Sequence, residues 1–139
     1  MKHQISCEDY EYLRLFERCK IKPETFGHHE HIRIAYILLT KLSVEEALSK
    51  LRGDLMSFLD YIGTDKSKYH ETLTQAWLLA VNHFMHISSP VTSFNEFIDS
   101  NNILSNKEIM YTHYSSELIE SDKARIKFVQ PDLEPIPRY

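Results

Sequence analysis

Three histidines at helical spacing are the residues of this chain best suited to chemistry. His28 and His31 stand one helical turn apart, and His70 heads a second apolar pattern further along the chain. Two imidazoles one turn apart can bind one metal ion, and an imidazole from a second helix can complete a set of three ligands. The spacing therefore predicts a shared site wherever the helices bring these three residues together.

The chemistry of such a site has three open alternatives. Three histidines plus water would form a catalytic site for a divalent metal such as zinc, whereas Cys19 as a fourth ligand would make the site closed and structural. Without a metal, the imidazoles would act as general acid and base, because a helix N-terminus lowers the histidine pKa and keeps the ring neutral. In the third alternative, the histidines form a hydrogen-bonded network in the core.

Four polar residues near the histidines are candidate substrate contacts. Tyr69 and Thr74 would supply hydrogen bonds, and Thr74 shares the helix face of His70 because it lies four residues later. Glu71 is rotated by about 100° from His70 and would orient a histidine from the side. Arg33 would receive an anionic substrate at the rim of the site.

The elements that carry these residues are predicted to be helices. The chain has only three Gly and five Pro, which leaves little material for hairpin turns. Capping pairs and apolar residues at three- and four-residue steps predict four main helices and three shorter ones. The main helices cover roughly residues 7–20, 27–42, 44–62 and 69–87, and the shorter ones start near Ser93, Ser105 and Ser121.

Short connections predict an up-and-down four-helix bundle in an all-α fold. The second and fourth helices are then parallel, so their N-termini bring His28, His31 and His70 to one end of the bundle. The first helix would bring Cys19 to the same end. This geometry is the basis of the predicted site.

The C-terminal residues 131–139 are predicted to form an extended tail. Pro131, Pro135 and Pro137 disfavour helix and favour an extended chain that lies against the body or against a neighbouring subunit. Residues 1–139 as a whole are predicted to form a single helical domain, because their number suits one hydrophobic core.

Charge and hydropathy narrow the classes of partner. Sixteen Lys and Arg against twenty Asp and Glu give a net charge of −4 with the two signs interspersed, which disfavours nucleic acids and anionic membranes. No apolar run approaches the roughly 20 residues that span a bilayer, and the start does not match a secretory signal. Cys7 and Cys19 would lie about 18 Å apart on one helix, too far for a disulfide. The chain is therefore expected to be cytoplasmic with reduced thiols.

Two segments resemble a family of small, uncharacterised bacterial helical proteins. They are FGHHEHIRIA at Phe26–Ala35, with the pattern F-x-H-x-x-H-[IL]-R-x-A, and YHETLTQAW at Tyr69–Trp77, which begins with Y-H-E-T-L-T. The ending ARIKFVQPDLEPIP adds to the resemblance, which covers most of residues 10–137. It implies family positions at Phe26, His28, His31, Ala35, Tyr69, His70, Thr72 and Thr74. Cys19 is not among them, so the resemblance favours the version with three histidines.

Two functions follow as expectations. The first is a small-molecule enzyme or binding protein with a histidine-lined, metal-binding pocket at one end of the bundle. The second is a noncatalytic interaction module, in which the histidines form a structural network and the C-terminal region mediates homodimerisation. A histidine phosphotransfer bundle is less favoured, because that chemistry needs an exposed histidine in mid-helix.

Overall fold

The computed structural model describes residues 2–139, which contain seven α-helices, four short 3-10 helices and no β-strand. The α-helices are α1 (Cys7–Glu17), α2 (His28–Leu39), α3 (Val44–Tyr61), α4 (Glu71–Ile87), α5 (Phe94–Ser100), α6 (Ser116–Ile119) and α7 (Asp122–Ile126). The 3-10 helices are Pro23–Thr25, Lys66–Lys68, Asn102–Ser105 and Lys107–Thr112. The predicted all-α class is therefore confirmed.

Helices α2 and α4 together form the centre of the packing. Helix α2 contacts α1, α3, α4 and α5, and helix α4 contacts α2, α3 and α7. Up-and-down directions for the four longest helices stay a prediction. Within residues 2–139, no helix combines the length and the hydropathy needed to cross a bilayer.

Most helix starts follow the capping signals in the sequence. Ser6 and Ser43 each accept a hydrogen bond from the third helical residue, whose acidic side chain accepts one in return from the cap. Ser93 and Ser121 also cap helices, as predicted. Ser105 does not: Asn106 accepts the hydrogen bond from Glu108, because a 3-10 helix already occupies Ser105.

Helix α1 ends three residues earlier than predicted, and this removes Cys19 from the helix. Cys19 adopts a left-handed conformation with a φ of 56°. Its N–H donates to the Phe16 carbonyl, and the Lys20 N–H donates to the Leu15 carbonyl. These two bonds form a Schellman motif, which satisfies the last carbonyls of α1. Cys7 and Cys19 are both free thiols.

Helix α4 also starts later than predicted, at Glu71. His70 is its N-cap, because the Nδ1 atom of His70 accepts a hydrogen bond from the Leu73 N–H at 3.1 Å. The helix therefore lacks the residue that the sequence pattern placed at the head of its apolar stripe.

Two clusters of buried apolar residues meet along α4. The larger one joins α1, α2, α3, α4 and α5. The smaller one packs Ala76 and Leu79 of α4 against the C-terminal residues Met110, Tyr114, Ile119 and Ile136. Trp77 packs against both clusters. Ile136 thus attaches the proline-rich end to its own chain, while an extended conformation of residues 131–139 stays a prediction.

Candidate functional site

A cavity of about 450 Å³ lies between α2, α3 and α4, and His28, His31 and His70 all line it. We call it the histidine cavity. Its volume is within the range typical of small-ligand pockets. Apolar side chains form most of its wall, namely Phe26, Leu51, Leu55, Phe58, Leu59, Ile62, Leu73, Trp77 and Leu78. The structure thus places the three predicted histidines around one mainly apolar space.

His31 is the histidine of the cavity whose ring is not used by the fold. Its side chain forms no hydrogen bond to any residue in the range 2–139. The ring packs at a tilt against Phe26, with 4.6 Å between the ring centroids. Burial lowers the pKa of His31 to about 4, with a smaller contribution from nearby His28. At neutral pH the ring is uncharged and offers one donor and one acceptor to the cavity.

His28 is held by the C-terminal half of the chain. Its Nε2 atom lies 2.8 Å from the Leu104 carbonyl oxygen, which can only accept, so Nε2 carries the proton. The ring also meets Trp77 edge-to-face at 4.5 Å between centroids. Burial lowers the pKa of His28, and the charge of Lys107 acts in the same direction.

Both ring nitrogens of His70 are engaged in the fold. Nδ1 caps α4 by accepting from the Leu73 N–H, and Nε2 donates to the Ile119 carbonyl oxygen at 2.8 Å. Burial lowers the pKa of His70, which keeps the neutral tautomer that these two bonds require. His70 is therefore a structural residue in the cavity wall and has no free nitrogen for acid–base chemistry or a metal ion.

The predicted metal site is not supported. Among residues 2–139, no three His, Cys, Asp or Glu side chains are grouped so that they could hold a metal ion. The Nε2 atoms of His28 and His70 are directed to backbone carbonyl oxygens instead of a common point. Cys19 does not line the cavity, because the Schellman motif ends α1 before it.

Tyr69 and Glu71 bind each other in place of a histidine. The Tyr69 hydroxyl donates to Glu71 Oε1 at 2.8 Å, and Arg52 holds the same carboxylate through two hydrogen bonds. Arg52 lowers the pKa of Glu71, while burial and the Glu71 carboxylate raise the pKa of Tyr69 to about 12. Tyr69 lines the cavity, but Glu71 faces a neighbouring groove. The hydrogen bonds of Glu71 are thus made with Arg52 and Tyr69, and its role in orienting a histidine stays a prediction that these contacts do not support.

Thr74 and Arg33 also have partners inside the fold. The Thr74 hydroxyl lines the cavity and donates to the His70 carbonyl at 2.8 Å. Arg33 pairs with the buried carboxylate of Asp9 at 3.0 Å and covers the Tyr12 ring. Because Arg33 does not line the cavity, the structure does not place it at the rim as predicted.

Sequence reasoning missed two lysines that line the cavity. Lys68 ends the 3-10 helix before α4, and Lys107 begins the 3-10 helix Lys107–Thr112. Both are exposed, so they mark the part of the cavity that opens to solvent. No local signal identifies Lys107, because the tertiary structure, including the contact between His28 and Leu104, brings its chain segment to α2.

Comparison with known proteins adds no relative. No protein-family model matches the chain, and no curated protein or solved structure matches it. The family resemblance of the FGHHEHIRIA and YHETLTQAW segments therefore stays a prediction, and the function of the cavity rests on its own geometry.

Proposed function

We propose that the protein binds a small, mainly apolar organic molecule in the histidine cavity and that His31 is the principal polar contact. The free imidazole of His31 is the observation that carries this proposal. His28, His70, Tyr69 and Thr74 donate to acceptors of the protein, whereas the His31 ring forms no hydrogen bond among residues 2–139. The His31 ring is half-buried and its nitrogens are free to form hydrogen bonds, so a ligand that supplies a partner there gains affinity.

The side chains that line the cavity indicate that the rest of the ligand is apolar. The phenyl rings of Phe26 and Phe58 and the indole of Trp77 join aliphatic side chains around the space. Burial of apolar surface contributes roughly 25 cal/mol per Å², so an apolar body supplies most of the binding free energy. A single hydroxyl or carbonyl group placed at His31 would fix the orientation of the ligand.

The pKa of His31 favours binding over proton transfer. A general base works best when its pKa is near the working pH, and burial lowers that of His31 to about 4. A ring that stays neutral is instead a stable hydrogen-bonding partner. The proposed role of His31 is therefore recognition, and no reaction is assigned to the cavity.

A second candidate, a structural histidine network, is favoured for two of the three histidines. His28 and His70 donate to the carbonyls of Leu104 and Ile119, which lie 76 and 49 residues away in the chain. These bonds fasten the C-terminal half onto α2 and α4. Homodimerisation through residues 131–139 stays a prediction, since Ile136 packs within its own chain.

Fluorescence of Trp77 tests the proposal directly, because Trp77 is the only tryptophan and lines the cavity. Octanol serves as the probe, since it combines an apolar chain with one hydroxyl. We expect a saturable change with the wild type and weaker binding in Ala35→Leu, because Ala35 lines the cavity and the larger side chain narrows it. His31→Leu should weaken binding about fivefold, the value of one neutral hydrogen bond.

His29→Leu is the matched control, because His29 is exposed on the same helix and does not line the cavity. It should bind octanol like the wild type. Two results would overturn the proposal: a folded wild type without a saturable response, or equal losses in His29→Leu and His31→Leu. Near-ultraviolet circular dichroism confirms the fold of each variant.

A further inference from the structure

The charged side chains that line the histidine cavity are all cationic. Lys68 and Lys107 line it, and no Asp or Glu does so among residues 2–139. This contrasts with the net charge of −4 of the whole chain. The opening of the cavity is therefore a local positive region on an acidic protein.

Neither Lys68 nor Lys107 forms an ion pair with a residue in the range 2–139. Within the described chain, the ion pairs use Arg33, Lys50, Arg52 and Lys66, and none uses Lys68 or Lys107. The ammonium group of Lys107 is close enough to His28 to lower the pKa of that imidazole further, after the effect of burial. Lys107 thus places a free positive charge beside the polar part of the cavity.

We infer that the ligand of the histidine cavity is an amphipathic carboxylate, with its apolar body among the aromatic and aliphatic side chains and its carboxylate at Lys107 and Lys68. This inference rests on the proposed function of the same cavity. An ammonium group forms charge-assisted hydrogen bonds with a carboxylate. Because the lining is mainly apolar and its cations are two exposed lysines, a singly charged carboxylate on an apolar body suits it.

A neighbouring cavity helps to show why the anion is assigned to the histidine cavity. The neighbouring cavity has a volume of about 360 Å³ and shares His70, Leu73, Trp77 and Lys107 with the histidine cavity. The neighbouring cavity is also lined by Arg125, but Glu108 and Glu120 offset its two cations. Within residues 2–139, no acidic residue offsets Lys68 and Lys107 in the histidine cavity. The distribution of acidic residues thus directs the anion to the side of His31.

Three probes with the same chain length separate charge from hydrophobicity, namely octanoate, octanol and octylammonium. We expect the wild type to bind octanoate more tightly than octanol and octylammonium most weakly. Lys107→Gln should weaken octanoate binding about twofold to fivefold, the upper part of the range for an exposed charge pair, and leave octanol binding unchanged. Added salt should reduce the preference for octanoate, because salt screens exposed charges.

Lys41→Gln is the matched control, since Lys41 is exposed and lines none of the cavities described above. Absence of binding for both octanol and octanoate would overturn the proposed function itself. Octanol binding without a preference for octanoate, or equal effects of Lys41→Gln and Lys107→Gln, would overturn only the carboxylate. Tyr111→Ala probes the neighbouring cavity. If Tyr111→Ala loses octanoate binding while Ala35→Leu binds octanoate like the wild type, the inference is also overturned.

Discussion

The histidine cavity and the contact between α4 and the C-terminal segment (residues 101–139) differ in how they treat polar groups. In the C-terminal contact, the Thr72 hydroxyl donates to the Lys127 carbonyl and accepts from the Val129 N–H. The Tyr114 hydroxyl donates to the Val129 carbonyl at 2.6 Å. In the cavity, by contrast, the His31 ring has no partner within residues 2–139. A hydrogen-bonded buried group stabilises the fold, whereas a half-buried imidazole with free nitrogens beside an open space is available to a ligand.

His28 and His70 lie on the boundary between these two regions. Each ring lines the cavity, yet each donates to a carbonyl of the C-terminal segment. The same residue type therefore has two roles in one cavity. Burial lowers the pKa of all three histidines, so the direction of the pKa shift does not distinguish the two roles. Hydrogen bonding to the backbone does distinguish them.

The largest expected effect is in the C-terminal contact. Thr72→Val keeps the shape of the buried side chain but leaves the Lys127 carbonyl and the Val129 N–H without their partner. We expect the free energy of unfolding to fall by about 3 kcal/mol, because each unsatisfied backbone group costs about 1–3 kcal/mol. Urea denaturation followed by circular dichroism measures it.

Thr74→Val is the control for this variant. The Thr74 hydroxyl donates to the His70 carbonyl, one turn back along the chain, and that carbonyl also accepts from the Thr74 N–H. We therefore expect a loss below about 1 kcal/mol. Equal losses in Thr72→Val and Thr74→Val would remove the special role given to the C-terminal contact.

The next effect is the pH dependence that the cavity contributes. The pKa of His31 is about 4 in the folded chain and near 6.5 when unfolded, so the unfolded chain takes up the proton first as the pH falls. This stability is complete above about pH 7 and is lost towards pH 4. From pH 7.5 to pH 5 we expect a loss of about 2 kcal/mol from His31, with further loss from His28 and His70.

His31→Gln isolates the contribution of His31 to the pH dependence of stability from those of His28 and His70, because glutamine does not titrate. The loss of stability over this pH range should shrink by about 2 kcal/mol in the variant. Lowered pKa values of Asp9 and Glu71 do not interfere, since such carboxylates lose their contribution only at lower pH, near and below about 4. An unchanged pH dependence in His31→Gln would show that His31 is not buried as described.

Local sequence patterns were sufficient for most of the fold. Apolar residues at three- and four-residue steps and capping serines located α2 and α3, and Ser6 located the start of α1. The prediction that His28, His31 and His70 approach one another needed the up-and-down topology as well as the periodicity, and that topology stays a prediction. His70 reaches the cavity as the N-cap of α4 and not from the apolar stripe of the helix.

The roles of individual residues did not follow from spacing. Cys19 left the helix because a Schellman motif formed, although no glycine marks that position. Glu71 accepts hydrogen bonds from Arg52, which lies 19 residues earlier. His70 donates to the carbonyl of Ile119, which lies 49 residues later. Such pairings depend on the tertiary structure, for which a helical pattern carries no information.

The smallest expected effect is a change in octanol affinity of at most about twofold, and it tests whether His70 is structural or part of the binding site. His70→Ala loses the cap of α4 and leaves the Ile119 carbonyl unpaired, and each loss costs about 1 kcal/mol. Asparagine is a good N-cap, so His70→Asn should recover about 1 kcal/mol of this stability. Because His70 has no free nitrogen for a ligand, His70→Asn should also keep octanol affinity within about twofold of the wild type, measured by Trp77 fluorescence. A fivefold loss in folded His70→Asn would instead place His70 beside His31 as a ligand contact, and the division of the cavity into structural and free histidines would fail.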